Sequence, residues 1–248
     1  MLIVLAVGCV LLFGAAADVA AQEIRVAAAS DLQAALPLVI ERFQKETAIR
    51  VQPTFGSSGN FFSQIQNGAP FDVFLSADID YPRRLHEAGL GDAVVPYGTG
   101  RLVLWTRSDS GVDIKRGLPV LTDSRVKRIA IANPQYAPYG RAAVAALRTQ
   151  GLYDKLRDRF VLGENIAQTA QFAQSGNADV AIIALSLAVG PSLRASGVYT
   201  EIPARLHPPI EQGAIVLKSG RAASARRFVA FLKRPDIVEH LEQSGFEP

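Results

Sequence analysis

From Glu23 onward the chain alternates two kinds of stretch. Short apolar runs of strand length, "EIRVAAAS", "IRVQPTF" and "FDVFLSAD", are each followed by a stretch with helical spacing. In "DLQAALPLVIERFQKET" the residues Leu32, Leu36, Val39, Ile40 and Phe43 share one helical face. A second helix starts near residue 61, and "DYPRRLHEAGL" reads as a third. Parallel neighbours need a crossover long enough to hold a helix. A β-α-β-α-β-α order therefore predicts an α/β fold, with a mainly parallel sheet flanked by helices.

The alternation resumes after the glycine-rich "VPYGTG". Strands are expected at "GRLVLWTRS", "RIAIANP", "RFVLGEN" and "ADVAIIALS", and helices at "YGRAAVAALRTQGL" and "IAQTAQFAQSG". "VYTEIP" and "IEQGAIVL" read as further strands, and the chain finishes as one or two helices broken near Pro235. Two such sets predict two lobes. Residues 22–100 and 204–248 form lobe one, and residues 101–203 form lobe two. The joins fall at "VPYGTG" and "EIPARLHPP", and the final helices return to lobe one. Two lobes with two crossovers enclose a cleft suited to a ligand.

Residues 1–21 read as a signal peptide. "MLIVLAVGCVLLFGAAA" is uncharged and apolar, and Val19 and Ala21 have the small-residue spacing of a cleavage site before Gln22. The run is short for a membrane span. A rival reading takes "LAVGC" as a lipoprotein box with a lipid anchor on Cys9, although only eight residues precede that cysteine. Cleavage near Gln22 would remove the one cysteine, leaving an exported, periplasmic protein without a disulfide framework.

Motifs for catalysis and cofactors are scarce. The three histidines, His86, His207 and His240, lack metal-ligand spacing. There is no GxxxxGK[ST] loop and no GxGxxG after a strand, so no cofactor is expected. "GSSG" falls short of the GxSxG elbow. The formal net charge of +3 is mild, and no basic run is interleaved with aromatics, so nucleic acid is not an expected partner.

What recurs instead is small polar residues at strand-to-helix joins: Ser30, Ser57 and Ser58, "NPQYAPYGR" and "GENIAQ". In an open α/β sheet these joins lie at the carboxyl ends of the strands, where ligands bind. Helix N-termini there expose free N–H groups and a partial positive charge, which suits an anion. For any one serine, helix capping alone accounts for its presence. Recurrence at equivalent joins, and the extra glycine of "FGSSGN", favour binding.

"VAAASDL", "FGSSGN", "IQNGAPFDVFLSAD" and "NPQYAPYGRAA" together resemble the periplasmic molybdate-binding proteins of molybdate ABC transporters, over essentially the whole chain after the leader. The resemblance implies a two-lobed type II periplasmic binding fold. It implies a non-enzymatic monomer that holds molybdate or tungstate between the lobes and delivers it to a membrane permease. The implied oxyanion ligands are Ser30 and Ser58 through their hydroxyls, Tyr139 and Ile166 through backbone N–H groups, and Asp31 through its N–H. The Asp31 side chain is expected to point away from the ligand. Ala184 stands where some members of the family carry a ligand tyrosine, so Tyr139 compensates or the site has one donor fewer.

Two alternatives remain at this level: the same fold binding sulfate, phosphate or a small organic anion, and an exported hydrolase with Ser58 as nucleophile. Arg141 is expected to face solvent, with a cleft-lining arginine favouring a larger organic anion. Phe61 and Phe62 are expected in the core, Trp105 in packing near the hinge, and Asp72 and Asp78 in turn and cap roles.

Overall fold

A computed structural model describes residues 23–248. The expected signal peptide and Cys9 lie outside the described residues. The strands are β1 (Glu23–Ala29), β2 (Arg50–Gly56), β3 (Val73–Ser76), β4 (Val95–Gly100), β5 (Leu102–Arg107), β6 (Ile129–Ala132), β7 (Phe160–Gly163), β8 (Val180–Ala184), β9 (Gly197–Glu201), β10 (Ile210–Val216) and β11 (Phe246–Glu247). The α-helices are α1 (Leu36–Thr47), α2 (Ser58–Gln66), α3 (Asp80–Glu87), α4 (Pro138–Thr149), α5 (Tyr153–Leu156), α6 (Ile166–Gln174), α7 (Leu185–Ala188), α8 (Pro191–Ser196), α9 (Ala222–Phe231) and α10 (Pro235–Gln243).

The strands form two sheets, a six-stranded one ordered β11-β4-β10-β3-β1-β2 and a five-stranded one ordered β7-β6-β8-β5-β9. The chain passes between them twice, from β4 to β5 and from β9 to β10. Arg101, in the first passage, is ion-paired with Glu201 and with Glu247, so both passages and the C-terminus are tied at one point.

Each sheet is mixed rather than mainly parallel. Only β2-β1-β3 and β7-β6-β8 run parallel. The strands β10, β4 and β11 join the first sheet antiparallel, as do β5 and β9 the second. The helix-linked units generate the parallel parts. Of the antiparallel strands, β5 and β10 are the two that the chain reaches directly from the other sheet, with no helical crossover within their own sheet to set them parallel.

Two further expectations are corrected locally. The first helix is split: a 3-10 turn at Ser30–Gln33 precedes α1, which begins at Leu36 with Pro37 in its first turn. Proline has no N–H to give and crowds the carbonyl four residues back, so the helix restarts there. "VPYGTG", expected as a join, is β4, with antiparallel partners on both sides. A Cβ at its Gly100 would strike the Tyr139 hydroxyl, so glycine there lets two elements approach.

Among the described residues the buried apolar side chains form three clusters. One packs the second sheet around the fully buried Trp105. The other two cover opposite faces of the first sheet, and Phe61 and Phe62 sit in the smaller of them. Leu36, Val39, Ile40 and Phe43 are the buried face of α1, as the spacing predicts. Phe43 meets Phe228 and Phe231 of α9 edge-on, at ring separations of 5.0 and 5.3 Å. Asp72 is fully buried and ties the same region: it accepts the Arg25 N–H at 2.7 Å and the Arg221 Nε at 3.0 Å.

Because Phe43 joins the first helix to the returning C-terminal ones, Phe43→Ala is expected to destabilise the protein by about 3–5 kcal/mol. Leu38→Ala, on the exposed side of the same helix, is expected to change stability by no more than about 0.5 kcal/mol. Urea unfolding of both variants checks the contrast.

Candidate functional site

The carboxyl ends of β1, β2 and β3 and the starts of α4 and α6 surround one small cavity. Its walls are Ala29, Ser30 and Asp31, then Gly56, Ser57 and Ser58, then Ala77, then Ala137, Pro138 and Tyr139, and Ile166. Its volume is about 10 Å³, room for a compact ion. Organic ligands of drug size need about 300–1,000 Å³. All five residues implied by the resemblance line it: Ser30, Asp31, Ser58, Tyr139 and Ile166.

The helix starts differ in how their N–H groups are met. Ser57 caps α2: its Oγ accepts the Asn60 N–H at 3.4 Å and donates to the Tyr136 carbonyl at 2.9 Å. Ser58 does something else, accepting the Ala77 N–H at 3.0 Å with its Oγ. Its hydroxyl proton and that of Ser30 have no protein acceptor among the described residues. At α6 the Asn165 side chain accepts from Ala167 and Gln168, each at 3.0 Å, and leaves the Ile166 N–H uncapped. The start of α4 has no side-chain cap, and Pro138 has no N–H, so Tyr139 supplies the first N–H of that helix. Two serines and two residues at helix starts thus line one cavity. Among the described residues, no lysine, arginine or histidine lines the cavity.

The Asp31 side chain is fully buried in the wall. Its Oδ2 accepts the Tyr139 hydroxyl at 3.0 Å and the Gln212 Nε2 at 2.5 Å. Oδ1 has no partner. Burial raises its carboxyl pKa to about 6, against the opposing pull of the Gln212 and Tyr139 hydrogen bonds. Asp31 is the one residue of the lining with a carboxyl. Burial, reinforced by the charge of Asp31, also pushes the phenols of Tyr97 and Tyr139 well above the ordinary range.

Gln212, Tyr97 and Ser186 complete the network and carried no sequence expectation. The Tyr97 hydroxyl donates to Gln212 Oε1 at 2.7 Å, and Ser186 Oγ donates to the Asp31 carbonyl at 2.8 Å. The one sequence signal was Gln212, an amide inside the apolar strand "IEQGAIVL". Ala184 is buried and pairs with Leu102 across β8 and β5. It brings no side-chain donor. The Tyr139 hydroxyl, held by Asp31, does not replace one. Arg141 does not simply face solvent either, for it is ion-paired with Asp78.

Two α/β bodies with an ion-sized cavity between their strand ends make a solute-binding protein. The chain belongs to the bacterial extracellular solute-binding protein family, which matches residues 24–247. It is 37% identical to the molybdate-binding protein ModA of Azotobacter vinelandii, over 91% of this chain and 90% of that protein. It is 36% identical to ModA of Rhodobacter capsulatus, over 95% and 92%. The solved periplasmic molybdate-binding protein of Azotobacter vinelandii superposes with a TM-score of 0.85 at 33% identity, over 91% of this chain and 99% of that one. These relatives are binding proteins, not enzymes, and the fold is the type II periplasmic binding fold.

The buried Asp31 makes stability depend on pH in a definite direction. Its folded pKa, about 6, lies above its ordinary 3.8, so the folded protein holds this proton more tightly than the unfolded chain does. The resulting stabilisation is complete below about pH 4 and lost as pH rises through 6, a change of about 3 kcal/mol. Asp31→Asn has no such proton. Its melting temperature relative to wild type is expected to rise by several degrees between pH 4.5 and 7.5, which thermal unfolding without added anion measures.

Proposed function

We propose that this protein captures molybdate or tungstate outside the cytoplasm and delivers it to the membrane permease of an ABC transporter. The observation that carries the reading is one cavity of about 10 Å³ lined by Ser30, Ser58, Tyr139 and Ile166; in this reading the two serines donate through their hydroxyls and the other two through their backbone N–H groups. Helix-end N–H groups and hydroxyls stabilise a dianion without a formal positive charge. The names of the relatives supply the particular anion.

In this reading the two sheets belong to two lobes, residues 22–100 with 204–248 and residues 101–203. The dianion first meets Ser30 and Ser58 on lobe one. Lobe two then closes and brings Tyr139 and Ile166 over it, a hinge closure around a ligand. Cavity size separates molybdate from the smaller sulfate. Residues 1–21 act as the signal peptide that takes the chain to the periplasm, where it works as a monomer with neither catalysis nor nucleic acid.

The hydrolase alternative finds little support. His86 lies 3.3 Å from the Gly91 carbonyl, His207 is 2.8 Å from that of Pro208, and His240 is 3.0 Å from that of Ala35. None is paired with Ser58, so the nucleophile lacks a base.

Molybdate at about one hundred times its Kd is expected to stabilise the protein by about 2.7 kcal/mol, a rise of about 5–10 °C in Tm. Sulfate and phosphate are expected to give much less. An equal shift with phosphate would refute the anion assignment. Ser58→Ala removes one hydrogen bond to a charged ligand, worth about 1.5–3 kcal/mol, so titration calorimetry should find affinity at least tenfold weaker.

A further inference from the structure

Arg141 and Asp78 face each other across the join between the two sheets, just outside the anion cavity. The guanidinium pairs through Nη2 with Asp78 Oδ2, and its Nη1 donates to the Tyr81 hydroxyl at 3.3 Å. It also lies over the Tyr81 ring, 5.6 Å from the centroid. Asp78 is held in place for this contact. Its Oδ1 accepts the Asp80 N–H at 2.9 Å, and Ser76 Oγ donates to its carbonyl at 2.7 Å.

The position of the pair ties it to the cavity. Arg141 stands in the first turn of α4, two residues after Tyr139. Asp78 directly follows Ala77, whose N–H is donated to Ser58 Oγ. Each partner is thus one or two residues from the cavity wall, on opposite sides. Ala77 and Pro138 line both the cavity and the cleft of about 410 Å³ in which Arg141 and Asp78 lie.

We propose that Arg141 and Asp78 form a clasp that is made only when the lobes close, seals the anion cavity on the cleft side, and sets how long the anion stays. The inference rests on the reading of two lobes closing on an oxyanion. An exposed ion pair within one rigid body contributes little. A pair between two bodies that separate is present in one state and absent in the other, so its whole free energy biases closure. Its side chains are 38% and 26% exposed, so solvent and salt screen the pair in part. Arg141 and Asp78 are positioning residues: they act on the anion through α4 and the Ala77 turn.

Stopped-flow binding of molybdate to Arg141→Gln, Asp78→Asn, the double variant and the charge swap Arg141→Asp with Asp78→Arg tests the clasp. Dissociation is expected to speed up about fivefold in each single variant, with association changed less than about twofold. The double variant should be no faster than the faster single one, and the swap should recover part of the loss. Added salt should speed dissociation from wild type and not from Arg141→Gln. Unchanged dissociation in Arg141→Gln, or single effects that simply add, would overturn the clasp. If wild type binds neither molybdate nor tungstate, the anion assignment fails by itself. The clasp is then read from small-angle scattering: Arg141→Gln should be more open than wild type, and equal radii of gyration would overturn it.

Discussion

The carboxyl of Asp31 sits wholly inside the protein, where the two sheets meet. It is gripped from both sides: Tyr139 reaches it from α4 beside the second sheet, and Gln212 from β10 of the first. Ser186, in α7 just after β8, donates to its carbonyl. A buried carboxyl is expensive unless it is hydrogen-bonded. Much of the surrounding structure meets that demand. Gly100 leaves space for the Tyr139 hydroxyl, Tyr97 orients the Gln212 amide, and α4 is drawn against the end of β1.

That arrangement also places the candidate donors. Once α4 is held by Tyr139, its first N–H stands beside the Ser30 and Ser58 hydroxyls, and the start of α6 completes the wall. A cavity built this way has no formal positive charge, so a bound dianion relies on short dipoles from several directions. It also has little spare volume. Both properties suit a protein that must hold an anion and later release it, because neutral hydrogen bonds part more easily than a buried ion pair.

Much of the architecture was legible in the sequence. The face formed by Leu36, Val39, Ile40 and Phe43, and the apolar runs at β1, β3 and β8, follow from local periodicity and burial. The small polar residues at the joins pointed to one edge of each sheet, and Ser30, Ser58, Tyr139 and Ile166 do meet there. The misses have local causes. Pro37 divided what read as one helix, and the glycines of β4 resembled a linker because antiparallel pairing with β10 and β11 is not visible in a short run. The burial of Asp31 was not visible in the sequence, because its partners lie 108 and 181 residues away.

The sequence by itself determined the alternation of strands and helices, the apolar faces, the small residues at the strand ends and the absence of metal and cofactor motifs. Each is set by neighbours within a turn or two, through hydrogen-bond geometry and side-chain period. Only the tertiary structure decided that Asp31 is buried, that Gln212 and Tyr97 support it, that Ser57 caps while Ser58 stays available, and that Arg141 meets Asp78. These depend on which distant segments the two passages between the sheets bring into contact. The free energy of burying a polar group is set by that contact and not by the residue's place in the chain.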